Sequence, residues 1–280
     1  MKKLMLAAAA LAACAAMADG EIASANVVGY NTITIRPGWN MFSVNFKDPA
    51  NTDGITLKDL FPGDAMAAKG AKTGGGAGTA DSIQVYDASN TSNPYENIYV
   101  LYYTTKGSNT SNNYKWVKGG VDSSAVTFKN GQAFWYKCLG NESFEVTISG
   151  EVELTAEKDI TILPGWNMIA SPFAANFNPN ALGTEYWKAK IDAGYAKAGG
   201  GAGTADSIQI YDASNASNPY ENIYVLYYTT KGSNTSNNYK WVKSGVAPAA
   251  DAAFLAPGQG TWYKCLGTGF TLTVPRPYSL

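Results

Sequence analysis

Histidine is absent from all 280 residues, cysteine occurs three times, and only 15% of the chain is charged. Without histidine there is no Ser-His-Asp or Cys-His catalytic group, no imidazole general base and no His-ligated zinc. A Ser-Lys nucleophile pair needs an S-x-x-K spacing, which does not occur. Cys138 and Cys265 lie far apart with no C-x-x-C, which argues against a thiolate metal site. The glycine-rich GGGAGTADS at Gly74 and Gly199 lacks the G-K-[ST] ending of a phosphate loop and reads as a flexible connection. With 21 basic and 22 acidic residues there is no clustered cationic face, so nucleic acid is not an expected partner. No metal or cofactor is expected, and no segment after the first 20 residues approaches the roughly 18 apolar residues of a transmembrane helix.

The first 20 residues, MKKLMLAAAALAACAAMADG, place two lysines before an apolar run from Leu4 to Ala13 and then small residues, the layout of a secretory signal. Ala16-Met17-Ala18 suits a signal peptidase that cuts between Ala18 and Asp19, which sets residues 1–18 as the signal. Leu11 to Cys14 also resembles a bacterial lipobox, in which Cys14 carries the lipid anchor of an outer-membrane lipoprotein; both readings stay open. Either way an extracellular or cell-envelope location is expected, and loss of Lys2 and Lys3 moves the formal charge from −1 to −3.

Compared with itself, the chain is a duplication. Gly74–Val121 matches Gly199–Val246 with three differences, Val85/Ile210, Thr91/Ala216 and Gly119/Ser244. The match continues more weakly through ITIRPGWNMFSVNF against ITILPGWNMIASPF and through GQAFWYKCLG against GQGTWYKCLG. Whole modules are therefore repeated, residues 19–154 and 155–280. The near-identical centre reflects either a recent exchange between the two tracts or a shared constraint. Cys138 and Cys265 occupy matching places; modules arranged as beads would hold them beyond the ~7 Å reach of a disulfide, so buried free thiols are expected.

The local pattern is β. Thr32 to Ile35 alternates and meets Pro37-Gly38, where proline presets φ and glycine accepts the positive φ of a type II turn before Trp39 to Phe46 returns; Pro164-Gly165 repeats it. Lys129-Asn130-Gly131-Gln132 and Ala256-Pro257-Gly258-Gln259 read as tight turns that share only the glycine position and the glutamine after it. In NIYVLYYTT, Ile98, Val100 and Tyr102 alternate with Tyr99, Leu101 and Tyr103, apolar on both faces as in a central strand. Helix is minor, expected over Thr56 to Phe61 and over Thr184 to Ala198, where the run at Gly199 would end it. The fold class expected is all-β, two tandem β-sandwich-like modules, with a compact barrel as the other closure.

The order PGWNM hairpin, LFP helix end, DSIQVYD strand, GQAFWYK and ISGEV resembles uncharacterised secreted β-rich repeat proteins of Verrucomicrobia and Lentisphaerae. Ser24 to Tyr30, Pro37 to Phe46 and Gly150 to Val152 carry the likeness, while Thr273-Val274-Pro275 departs from it at the end of the second copy. The resemblance implies export and a β-sandwich-like module, and no catalytic residues.

Two classes of side chain are left as functional candidates. The acids Asp81, Asp87 and Glu96, repeated as Asp206, Asp212 and Glu221, would serve a glycosidase as a carboxylate pair, or else cap turns; DASNTSNPYEN is oxygen-rich without the spacing of a calcium loop. Twelve of the eighteen tyrosines fall in the duplicated tracts. Tyr99, Tyr103, Tyr114 and Trp116, with Tyr224, Tyr228, Tyr239 and Trp241, form a candidate sugar-binding face; Trp39, Trp135, Trp166 and Trp262 read as core filling. The function expected is that of a non-catalytic structural or adhesive surface protein, not an enzyme, whose partners are copies of itself or surface glycans. A carbohydrate-binding protein with one site per module, and then a glycosidase, are the alternatives.

Overall fold

A computed structural model describes residues 27–49, 54–220, 222–243 and 255–279. The signal-like segment with Cys14, Ala18 and Asp19 lies outside these residues, as does Glu221.

Each copy folds as a small antiparallel sheet facing a larger one around its own core, with a further two-stranded pair, Ile55–Thr56 with Thr127–Phe128, in the first; this is the all-β sandwich-like arrangement expected, and neither copy closes as a barrel. In the first, a small sheet of Val28–Ile35, Phe144–Val152 and Phe46–Lys47 faces a larger one ordered Gly38–Ser43, Ala133–Cys138, Ser82–Val85, Asn97–Leu101, Trp116–Lys118, Val121–Asp122. In the second, Glu157–Ile162 and Phe270–Pro275 face Gly165–Ile169, Thr261–Cys265, Ser207–Ile210, Asn222–Leu226 and Trp241–Lys243. Strand alternation divides the side chains: Ile33, Ile35, Val146 and Ile148 from the small sheet meet Phe42, Phe134, Tyr136 and Leu101 from the large one. Cys138 and Cys265 are free, buried thiols, one in each core.

The P-G-W-N hairpin is set locally. Gly38 and Gly165 both have φ of +90°, open to glycine and strained for other residues. Asn40, almost fully buried, accepts from the Arg36 N–H (2.9 Å) and donates to the Arg36 carbonyl (2.7 Å), which ties the two ends of the turn. Asn167 does the same for Leu163. In the later turns the Gln132 and Gln259 N–H groups close on the carbonyls of Lys129 and Ala256, with Gly131 and Gly258 at φ of +78° and +77°.

Two helix expectations change. The first helix is short, Leu57–Leu60, and a second, Gly63–Ala68, follows beyond Pro62, with Pro62 supplying the residue before its first turn. The second-copy helix spans Thr184–Asp192 and stops at Gly194, not at Gly199, because Gly194 takes φ of +75° and its neighbour Tyr195 bonds back to Lys190.

Glu153 fastens the connection between copies. Its carboxylate is 4% exposed and pairs with Lys158 at 2.8 Å and Lys47 at 3.9 Å. Burial pushes its pKa up, but Lys158, the Thr155 N–H and Lys47 outweigh this and hold it at about 2. A carboxyl whose folded pKa lies below its unfolded value contributes stability above the unfolded value, near 4.5, and loses it as pH falls towards 2. Glu153→Gln is therefore expected to cost about 1–2 kcal/mol at pH 7 and almost nothing near pH 2 in chemical denaturation. A penalty independent of pH would contradict the ion-pair assignment.

The modules do not sit as separate beads. Phe42 bridges Gln259 and Ile169 bridges Gln132 in antiparallel fashion, and these four are equivalent positions of the repeat, so the junction has pseudo-twofold symmetry. The Ser43 N–H donates to Gly258 O (3.0 Å), and Asn45 donates to Ser171 O (2.6 Å). A Cβ at Gly258 would stand 2.2 Å from Asn31 Nδ2, and one at Gly131 would stand 3.2 Å from Pro172, so both turn glycines also admit the neighbouring module. Gly258→Ala is expected to lower thermal stability by about 1–3 kcal/mol, measured against Gly38→Ala, which meets only the φ strain.

Candidate functional site

The aromatic face expected on the central strands divides in two. Tyr99 and Tyr224 are 6% and 7% exposed, and Trp116 and Trp241 are 0% exposed, so these four are core side chains and present no face to a ligand. The strands of Tyr99, Trp116 and Tyr224 are interior in the larger sheets, whereas Trp241 is on the edge strand of its sheet; all four side chains pack into the cores. Tyr103, Tyr114, Tyr228 and Tyr239 stay near the surface as two pairs, Tyr103 with Tyr114 and Tyr228 with Tyr239, at 5.3 and 5.4 Å. Their rings are inclined by 50° and 40°, so no flat row forms. Tyr114 and Tyr239 hold φ of +60° and +63°, fixed by N–H bonds to the carbonyls of Tyr102 and Tyr227.

The candidate acids also separate. Asp81 is fully buried and accepts from the Tyr136 hydroxyl (2.9 Å) and the Leu139 N–H (2.8 Å); Asp206 repeats this with Tyr263 and Leu266. Burial raises the pKa of both, and these hydrogen bonds oppose the rise. Burial first, and then the neighbouring carboxylate, raises the Cys138 and Cys265 thiols to about 11, so they are unreactive packing groups. Asp87 and Asp212 close turns on Ser89 and Ser214, whose hydrogen bonds hold both carboxyls below their ordinary value. Glu96 pairs with Lys118 (3.9 Å) and accepts from Asn90 (3.0 Å). Among the described residues no three Cys, Asp or Glu come together to hold a metal ion.

The accessible aromatic site lies at the module junction and is built from tryptophans that the sequence pattern assigned to the cores. In Ala133–Cys138, Phe134, Tyr136 and Cys138 point into the core, which leaves Trp135 and Lys137 on the opposite face. The register sets Trp135 between Met41 and Gln84, and Lys137 beside Trp39. Trp39 is 36% exposed and meets Trp135 edge to face at 5.7 Å, with the Lys137 ammonium 5.4 Å from its ring. Trp166, Trp262 and Lys264 reproduce the arrangement in the second module, at 5.8 Å for the indoles and 5.4 Å for the ammonium.

Trp135 and Trp262 are nonetheless 7% and 8% exposed, because each is covered by a tyrosine of the other module. Tyr211 meets Trp135 at 4.7 Å and Tyr86 meets Trp262 at 4.8 Å, both nearly perpendicular. Tyr95 and Tyr220 meet Tyr86 and Tyr211 edge to face at 5.2 Å, with their hydroxyl oxygens placed to accept from the Trp135 and Trp262 indoles. Burial raises the pKa of all four phenols, so their hydroxyls remain protonated donors.

This interlocking leaves two grooves. One, of about 370 Å³, is lined by Trp166, Trp262, Gln209, Tyr86, Tyr95 and Tyr220. The other, of about 420 Å³, is lined by Trp39, Trp135, Gln84, Tyr211, Tyr220 and Tyr95. The six positions of one map onto the six of the other through the repeat, with the same residue type at every position. The half-buried Gln84 and Gln209 amides make no side-chain hydrogen bond to any described residue. The sequence signal for this site was parity: in F-W-Y-K-C, tryptophan shares its face with lysine, and lysine does not face a core. Compared with family models, curated proteins and solved structures, the chain matches none of them.

Proposed function

We propose that the protein is an exported, non-catalytic adhesive protein of the cell surface or extracellular matrix that holds carbohydrate in the two junction grooves. The observation that carries this reading is the pairing, in each groove, of a part-exposed indole with a glutamine whose side-chain amide hydrogen-bonds to no described residue. A sugar ring has an apolar C–H face and a rim of hydroxyls. The indole suits the first and the amide, both donor and acceptor, suits the second. The signal-like N-terminal segment supports export, and the missing histidine together with the burial of Asp81 and Asp206 supports a binding role without catalysis.

A glycan array followed by calorimetry on its hits tests the proposal. Trp39→Ala combined with Trp166→Ala is expected to weaken binding at least tenfold while leaving the unfolding transition almost in place, since both indoles are on the rim. An array without hits, or unchanged affinity in the double variant, would remove the reading.

One observation favours a structural role beside it. Val28–Ile35 is the outer strand of its sheet, with Val28 67% and Tyr30 78% exposed. An apolar sheet edge is a template for pairing with another copy. Light scattering is expected to show concentration-dependent association that Val28→Lys with Tyr30→Lys abolishes. A monomer at every concentration would end this second reading.

A further inference from the structure

Resting on the carbohydrate reading, we infer that the two grooves form one site, spanned by a single uncharged glycan chain that crosses the pseudo-twofold axis of the junction. The grooves share two walls: Tyr95 and Tyr220 line both of them. The cavities are therefore neighbours separated by no more than these side chains, and a chain of several rings leaving one groove enters the other. Trp39 and Trp166 stand as the two outer platforms, with the Tyr95 and Tyr220 hydroxyls between them as donors.

The chemistry of the lining selects the ligand. No carboxylate, ammonium or guanidinium is among the ten lining residues, and Lys137 and Lys264 stand over the Trp39 and Trp166 rings. Recognition rests on ring faces, two amides and phenols, which suits a neutral polyol and offers no paired charge for a uronate or sulfate. A polysaccharide has direction and a twofold platform does not. Stacking on a ring face is insensitive to chain direction, so two indoles related by the dyad serve one directional chain equally.

Covalently joined rings occupy the second groove at high effective concentration once the first is filled, so affinity rises with chain length without any new kind of contact. The test is calorimetry of the intact chain with neutral gluco-, manno-, xylo- and N-acetylglucosamine oligosaccharides of two to six rings, and oligogalacturonates as charged comparison. Short neutral oligosaccharides are expected to bind two per protein. Six-ring chains are expected to bind one per protein, at least tenfold more tightly, with the oligogalacturonates at least tenfold weaker than neutral chains of equal length. Trp39→Ala or Trp166→Ala alone should reduce the six-ring affinity to that of the short ones. Six-ring chains that bind two per protein with no gain would overturn the single-site inference and leave the carbohydrate reading standing. Oligogalacturonates that bind as tightly would overturn the neutral selection. Failure of every probe in the series to bind would overturn both.

Discussion

Trp116→Ala is expected to lower the stability of the first module by about 3–5 kcal/mol. Its indole is fully excluded from solvent and meets Phe61 and Tyr136 at 6.4 and 6.2 Å, so truncation opens a cavity that fixed strands on both sides cannot close. A sharper form of the experiment uses phenylalanine in both copies. Trp116 Nε1 donates to the Phe61 carbonyl at 2.7 Å, whereas the buried Trp241 Nε1 has no hydrogen-bond partner among the described residues. Trp116→Phe deprives a buried carbonyl of its donor; Trp241→Phe removes a buried donor that no described residue satisfies. Chemical denaturation should therefore show Trp116→Phe to be costlier than Trp241→Phe by roughly 1–3 kcal/mol, although the surrounding sequence, NYKWVK, is the same. Equal costs would mean that the Phe61 bond contributes nothing.

The second large effect belongs to the junction. Trp135→Ala and Trp262→Ala are each expected to cost about 3 kcal/mol, since each indole is nearly buried between its own sheet and a tyrosine of the other module. The consequence differs in kind from that of Trp116. The two cores remain intact while the contact between them weakens, so calorimetry is expected to resolve two transitions in these variants and one in the unaltered chain. Because the junction is pseudo-twofold, the two variants should agree within about 1 kcal/mol. A single sharp transition in both variants would show that the strand-edge bonds around Phe42, Gln259, Gln132 and Ile169 couple the modules without the aromatic contacts. These variants also remove a wall of each groove, so glycan binding should fall with them.

Much of the fold was legible because its determinants are short in range. Pro37-Gly38 and Pro164-Gly165 specify their turns through backbone geometry alone, and the observed φ of +90° at both glycines is that geometry. The central position of Asn97–Leu101 followed from apolar residues on both faces. The site was less legible for a related reason. A strand that is apolar on both faces is covered on both, but its sequence does not say by what. Trp116 and Trp135 are both aromatic residues in apolar strands; one is covered by the linker of its own module and the other by Tyr211, 76 positions away. Only the parity of Trp135 with Lys137 hinted at the outer face.

The sequence by itself determined that the chain is a duplicated β module without histidine chemistry, with fixed turn glycines and a matched pair of buried thiols. Those properties depend on composition and on residues a few positions apart. Tertiary structure decided which aromatic residues are accessible, because exposure depends on how two modules dock. It also made identical stretches unlike one another. Around Trp116 the partner is Phe61; around Trp241 the linker has diverged, and Asn180 bonds the Trp241 main chain while no described residue accepts from the indole N–H. Strand formation is set by the strand's own residues, but a buried hydrogen bond is satisfied only by whatever the rest of the chain brings to it.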